Sequence, residues 1–222
     1  MERASIEEIA KKAREEEFIG DLKKKLIFNL QKDNAFVVRK KTFNLQSGGK
    51  SHIYLNPMNY VNKPNNIDFL TDALTYIIQS LGFTDYKLAA SSSVAAPIIT
   101  ASLGMKLNKE ILIVSETEHK ALKTKIHGNV KQGDEIILVD HIVTTGFTLI
   151  KIAKWLRLSG ARVNHAVVPI VSHLSSIRRL KENGIDCHYL VTFREIIDTL
   201  WNNFSDEEKE LIKDEIKKVP ID

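Results

Sequence analysis

The segment Glu135-Ile136-Ile137-Leu138-Val139-Asp140-His141-Ile142-Val143-Thr144-Thr145-Gly146-Phe147-Thr148 holds the residues whose types and spacing can do chemistry. An aliphatic run delivers a carboxylate, Asp140, and a turn rich in hydroxyls then opens directly into a stretch with helical character. The carboxyl end of such a strand is where open α/β sheets bind ligands. Backbone N–H groups at a helix start point outward, and the helix dipole favours an anion there. The hydroxyls of Thr144, Thr145 and Thr148 add donors, while Gly146 lets the backbone approach an anion closely. Asp140, just upstream, can accept hydrogen bonds from sugar hydroxyls, so one loop has the means to hold both ends of a ribose 5-phosphate. Asp and Thr at a strand-to-helix turn also serve as ordinary caps. The order acid, paired threonines, glycine, helix after a buried strand favours the anion cradle.

The elements that must position this loop follow from periodicity. Residues 5–32 read as helix: Ser5 and Glu8 have capping-box spacing, and Ile6, Ile9, Ala10, Leu22, Leu26, Ile27 and Leu30 recur at helical intervals, with Gly20 predicted to divide the helix in two. Three short β-prone runs follow, at 35–38, 42–45 and 52–55, punctuated by Ser47-Gly48-Gly49 and closed by Pro57, which predicts a small antiparallel annex. From Asn66 onward strands and helices alternate: helix 66–80, strand 87–91, helix 95–104, strand 110–114, strand 135–140, helix 147–158, strand 162–170, helix 174–183 and strand 187–191. Alternation of this kind predicts parallel strands joined by crossover helices. The unbroken apolar runs Ile111–Val114 and Ile136–Val139 suit strands buried on both faces. The stretch 205–217, opened by Ser205 and Glu208, reads as an exposed C-terminal helix. The organisation expected is an N-terminal unit of helices and hood strands over 1–65, a core over 66–200 and a C-terminal helix over 201–222.

Composition bounds the function classes. A chain of 222 residues, 43% hydrophobic and 27% charged, has the make-up of one sizeable globular core. No apolar run reaches the length of a membrane span, and the single cysteine, Cys187, has no partner for a disulfide or a Cys-based metal site. Both point to the cytoplasm and away from membranes, with Cys187 as a core thiol. The seven histidines show no tight spacing suggestive of zinc. A net charge of +4 suits a phosphorylated small ligand as well as nucleic acid, but no helix-turn-helix precedes Asn34, so nucleic acid is not the expected partner.

The 135–148 segment resembles the phosphoribosyl diphosphate (PRPP) motif of type I phosphoribosyltransferases, introduced by a turn at Ile126–Asp134. Upstream, Phe43-Asn44-Leu45-Gln46-Ser47-Gly48-Gly49-Lys50-Ser51-His52-Ile53-Tyr54-Leu55-Asn56 is similar to the hood segment of orotate phosphoribosyltransferases. Together the two place the resemblance over roughly residues 35 to 200. It implies the type I phosphoribosyltransferase fold, an α/β architecture with a twisted, mainly parallel sheet flanked by helices and a small N-terminal hood. It also implies transfer of ribose 5-phosphate from PRPP to orotate in pyrimidine biosynthesis, Mg²⁺ carried on the diphosphate with no direct protein ligand, and a homodimer. By the same resemblance Asp140, His141, Thr144, Thr145, Gly146, Phe147 and Thr148 hold the 5′-phosphate and ribose. Asp140 and Lys120 are the catalytic candidates. Ser91, Ser92 and Ser93, with Lys123 and Lys125 of a mobile basic loop, face the diphosphate. Gln46 and His173 face the base. For Lys120, Lys123 and Lys125 a solvated lysine run is an equal reading.

Several positions depart from that pattern. His141 stands where a second acid is usual, Gln46 where the orotate branch has lysine, Glu116-Thr117 where an arginine–lysine pair follows the strand, and His173 where an arginine would meet the orotate carboxylate. The turn Ala90–Pro97 lacks the family's glycines and lysine. A charge-assisted hydrogen bond is worth roughly 1.5–3 kcal/mol, so losing about four removes on the order of 6–12 kcal/mol of stabilisation, even before non-additivity. The resemblance therefore implies an asymmetric outcome: a nucleotide monophosphate or PRPP held by its 5′-phosphate, with transfer weak or silent. The alternative is an active orotate phosphoribosyltransferase making orotidine 5′-phosphate.

Overall fold

The computed structural model describes residues 6–44, 50–119 and 124–218. In chain order α1 (Ile6–Lys32) leads to β1 (Phe36–Asn44), β2 (Lys50–Leu55), α2 (Met58–Val61) and α3 (Pro64–Ser80). Then come β3 (Lys87–Ser91), α4 (Ala95–Leu107), β4 (Ile111–His119), β5 (Thr124–His127), β6 (Glu135–Val139) and α5 (Phe147–Leu158). β7 (Arg162–Val171), α6 (Leu174–Glu182), β8 (Asp186–Thr192), α7 (Phe193–Leu200) and α8 (Asp206–Lys218) complete the described chain.

Aliphatic strands with apolar side chains on both faces need cover on both faces, and β6 demonstrates it. Ile137 and Val139 join one core cluster with Leu70, Leu74, Ile99 and Leu103 of α3 and α4. Ile136 and Leu138 join the other, with Leu149, Ile152 and Leu156 of α5 and Leu180 of α6. Period-two alternation thus becomes a sheet between two helical layers. The strand order is β5-β4-β3-β6-β7-β8, parallel throughout except for β5, which runs antiparallel to β4. The chain builds outward from β3 to β4, then returns to the other side of β3 with β6 and continues to β7 and β8. A topological switch point therefore lies between β3 and β6, where a crevice opens beyond the carboxyl ends of the strands.

The hood is the antiparallel pair β1–β2, covered by α8. Three expectations are corrected here. Gly20 does not divide α1, which runs unbroken across it: a mid-helix glycine costs only about 1 kcal/mol against alanine, and buried Leu26, Ile27 and Leu30 offset that. The runs 35–38 and 42–45 belong to one strand, β1, whose polar Arg39-Lys40-Lys41 forms the exposed middle where the register shifts between Val38 and Phe43. The C-terminal helix is not simply exposed: Ile212 is fully buried, and the Glu215 carboxylate accepts the His52 backbone N–H at 2.6 Å, tying α8 to the hood. Its predicted capping box at Ser205 and Glu208 is present, whereas that at Ser5 lies outside the described residues.

At the opposite edge of the sheet from the crevice, Lys87 Nζ joins Glu110 at 2.8 Å, Asp134 at 2.9 Å and the Asn129 carbonyl at 2.8 Å, clasping the amino ends of β3, β4 and β6.

Candidate functional site

The crevice is built by the two strand ends that flank the switch point. Ala90 of β3 is in register with Val139 of β6, so the turns that follow them, beginning at Ser91 and Asp140, lie side by side. Both residues are buried, at 7% and 5% exposure, unlike most serines and aspartates. The Asp140 carboxylate accepts the His141 backbone N–H at 2.8 Å. His141 Nδ1 lies 2.9 Å from the same oxygen, in contact but off the line of a hydrogen bond, so its buried ring nitrogen makes none.

From His141 the loop is stitched to β7: Val143 N–H donates to the Ile170 carbonyl at 2.9 Å and Ser172 N–H to the Val143 carbonyl at 2.8 Å. This anchors the stretch between strand and helix, leaving Thr144 and Thr145 half-buried at the turn. Gly146 occupies the cap position of α5 with φ +81°, a left-handed conformation that favours glycine. The first helical bond runs from Ile150 N–H to the Gly146 carbonyl, no side chain caps this end, and the first turn holds no acid. The leading amides of α5 therefore face outward with no competing side-chain acceptor, as an anion requires.

Across the crevice Ser91 Oγ donates to Ser93 Oγ at 3.1 Å, and Ser92 N–H is committed to the Val114 carbonyl at 3.0 Å. Ser93 is half-buried and Ser92 exposed. His173 caps α6 in extended conformation, and its carbonyl accepts both the hydroxyl and the N–H of Ser176. It lies just beyond Ser172, on the same rim as the loop. Lys125 sits elsewhere: its ammonium is 4.3 Å from the ring centroid of Trp155. Trp155 is eight residues along α5 from Phe147, about 12 Å by helical rise. The stretch 118–127, expected as a basic loop, begins at the end of β4 and ends in β5, two strands paired antiparallel, with His127 Nε2 3.1 Å from Ser115 Oγ. Gln46, Lys120 and Lys123 lie outside the described residues.

Two features had no sequence signal. Arg179 of α6 donates from Nη1 to the Thr145 carbonyl at 2.6 Å and covers Phe147, its guanidinium 4.8 Å from the ring centroid. His141 also borders an apolar cavity of about 20 Å³ walled by Leu26 and Leu30 of α1, Leu55, Ile99 and Pro169. That is room for about one water and far too little for a base ring. Cys187 on β8 is a poor nucleophile: burial, aided by the Asp140 charge, pushes its thiol up to about 12. Among the described residues no group of three His, Cys, Asp or Glu could hold a metal ion, and no helix is long and apolar enough to cross a membrane.

No family model matches the chain. It is 31% identical over 156 residues to orotate phosphoribosyltransferase of Pyrococcus horikoshii, a match covering 69% of this chain and 83% of that protein. Among solved structures, orotate phosphoribosyltransferase from Aeropyrum pernix superposes with a TM-score of 0.68 at 23% identity, covering 79% of this chain and 97% of that one. UMP synthase of Leishmania donovani superposes with a TM-score of 0.74 at 22% identity, covering 97% of this chain but only 48% of that longer protein.

Proposed function

Since the chain belongs to the orotate phosphoribosyltransferase family, we propose that it holds the ribose 5-phosphate end of PRPP or of a nucleotide monophosphate on the 140–148 loop, with glycosyl transfer weak or silent. One observation carries this reading: the first turn of α5, at the switch point, has no capping side chain and no acid, and Gly146 opens the loop to close approach. Asp140 supplies the carboxylate that meets the ribose hydroxyls. Thr144, Thr145 and Thr148 add hydroxyl donors around the phosphate.

The diphosphate side is poorer. Ser91 and Ser93 spend a hydroxyl on each other, Ser92 gives its N–H to the sheet, and Lys125 is drawn to Trp155. In transfer the C1′–oxygen bond to the diphosphate breaks, a C1′–nitrogen bond to the base forms, and positive charge grows at the sugar. Of the groups at the strand end, Asp140 can face that charge, while His141 is a weaker substitute for a second carboxylate. Magnesium suits this site as an ion borne by the diphosphate, since it keeps several waters and binds through substrate phosphates, and among the described residues no group of three acids, histidines or cysteines could hold it. There it would neutralise charge on the leaving diphosphate. Orotate as the base partner and a homodimer complete the reading.

The alternative, an active orotate phosphoribosyltransferase, is favoured by the match to a curated relative over 83% of its length. Following orotate depletion with PRPP and magnesium separates the two. The expected result is turnover far below the usual enzymatic range of about 1–10³ s⁻¹, with calorimetry still detecting binding of uridine, orotidine or adenosine monophosphate. Turnover inside that range establishes the active enzyme instead.

A further inference from the structure

The phosphate loop gains its cation from a helix that follows it in sequence by some thirty residues. Arg179 is half-buried beside the loop, and its two contacts are the Thr145 carbonyl at 2.6 Å and the Phe147 ring at 4.8 Å. Neither is an anion, and among the described residues no carboxylate pairs with it. A guanidinium this close to uncapped helix amides, with no counter-ion, is short of one negative partner. Only Nη1 is committed, so Nε and Nη2 still have N–H donors to offer. The guanidinium lies over the Phe147 ring, and the bond to Thr145 engages a loop carbonyl that would otherwise be free to repel an anion.

We propose that Arg179 is a cationic ligand of the 5′-phosphate, reaching the loop from α6 and orienting it through the Thr145 carbonyl. The inference rests on the reading of the 140–148 loop as the phosphate site and adds a residue that loop does not contain.

The test is calorimetry of the full chain with ribose 5-phosphate and with inorganic phosphate, across a range of salt. Three variants are compared with the parent: Thr145→Glu, Arg179→Gln and Arg179→Lys. Thr145→Glu places a like charge in the cradle and is expected to abolish binding. Arg179→Gln is expected to weaken ribose 5-phosphate by about 10–100-fold and to flatten the salt dependence, and Arg179→Lys to recover part of the affinity by keeping the charge. A purely structural Arg179 would instead lower the melting temperature of both Arg179 variants and leave the salt dependence of the remaining binding as in the parent. That result, or parent-like affinity in Arg179→Gln while Thr145→Glu abolishes binding, overturns the assignment of Arg179 alone. Unchanged affinity in Thr145→Glu overturns the loop reading itself, and Arg179 with it.

Discussion

Gly146 carries two constraints at one Cα. Its φ of +81° lies in the left-handed region, and a Cβ placed there would come within 3.2 Å of Leu180 Cγ, so the loop and α6 approach as closely as a missing side chain allows. Gly146→Ala should cost about 1–2 kcal/mol from the backbone alone, measurable by urea denaturation. It should also weaken ribose 5-phosphate binding, because relief of the Leu180 contact moves the loop relative to Arg179 of α6 and shifts the leading amides of α5. A variant with parent-like stability and affinity would mean that neither constraint operates. Buried Leu180 does for packing what Arg179, one residue earlier, does for charge, so the same turn of α6 shapes the loop twice. Nothing in the spacing of the sequence ties residues 179 and 180 to 145 and 146; only the crossover through β7 brings them together. The 140–148 loop could be picked out because its strand end, turn and helix start are contiguous in the sequence. A side chain that reaches the turn from α6 has no such obligation.

At the scale of elements, the parallel strands were legible because burial on both faces leaves aliphatic runs such as Ile136–Val139 that no exposed element tolerates. What the sequence concealed was short or locally polar. α7 carries Phe193, Ile196, Ile197 and Leu200 at helical spacing behind a capping box at Thr192 and Glu195, yet its eight residues follow β8 without a break, and no element predicted from the sequence covers them. In α1, Gly20 has an ordinary helical backbone and open space, with nothing within 4 Å, where a Cβ would stand, so Gly20→Ala should raise stability by about 0.5–1 kcal/mol, a gain readable in the thermal midpoint. The β7–β8 edge makes a pH prediction. His165 Nδ1 and His188 Nε2 lie 3.2 Å apart, a contact that needs one nitrogen unprotonated, with Asp186 and its partner Lys181 alongside. Burial, with the charges of His165 and Lys181, holds His188 below its ordinary 6.5, against the pull of Asp186. The unfolded chain then binds more protons in this window, so the contribution to stability is complete above about 6.5 and is lost as pH falls through the folded value. Denaturation midpoints between pH 5 and 8 should fall with acid in the parent and fall less in His188→Gln. The lowered carboxyls of Asp33, Asp134 and Asp186 act in a separate, more acidic window below 3.8.

For the whole molecule, α4 is an element that leaves an apolar face open. One side packs Ala95, Ala96, Ile99 and Leu103 into the core, as a helix beside β3 must. The other presents a stripe at positions 94, 98, 101 and 105, spaced four, three and four apart and so aligned along one face. Val94 is 69% exposed and Met105 is 86% exposed at its two ends, with Ile98 and Ala101 between them. Lys106, the one charged residue of the helix, is already paired with Asp72. A helix apolar on opposite faces is one that expects cover on both, and the homodimer proposed for this chain would supply it: two copies of the stripe related by a twofold axis would present the same surface to each other. Stable association needs about 1,000 Å² or more of buried surface, which the stripe can centre but not fill, so neighbouring parts of the crevice wall must join it. The Ser91–Ser93 turn, directly ahead of Val94, is then brought near the partner. Met105→Glu should shift sedimentation from dimer to monomer at micromolar concentration while the melting curve of the monomer remains cooperative. Because the exchanged surface adjoins the diphosphate side and not the phosphate loop, ribose 5-phosphate affinity should be retained in that variant. A variant that stays dimeric removes α4 from the interface, and a parent chain that sediments as a monomer removes the dimer.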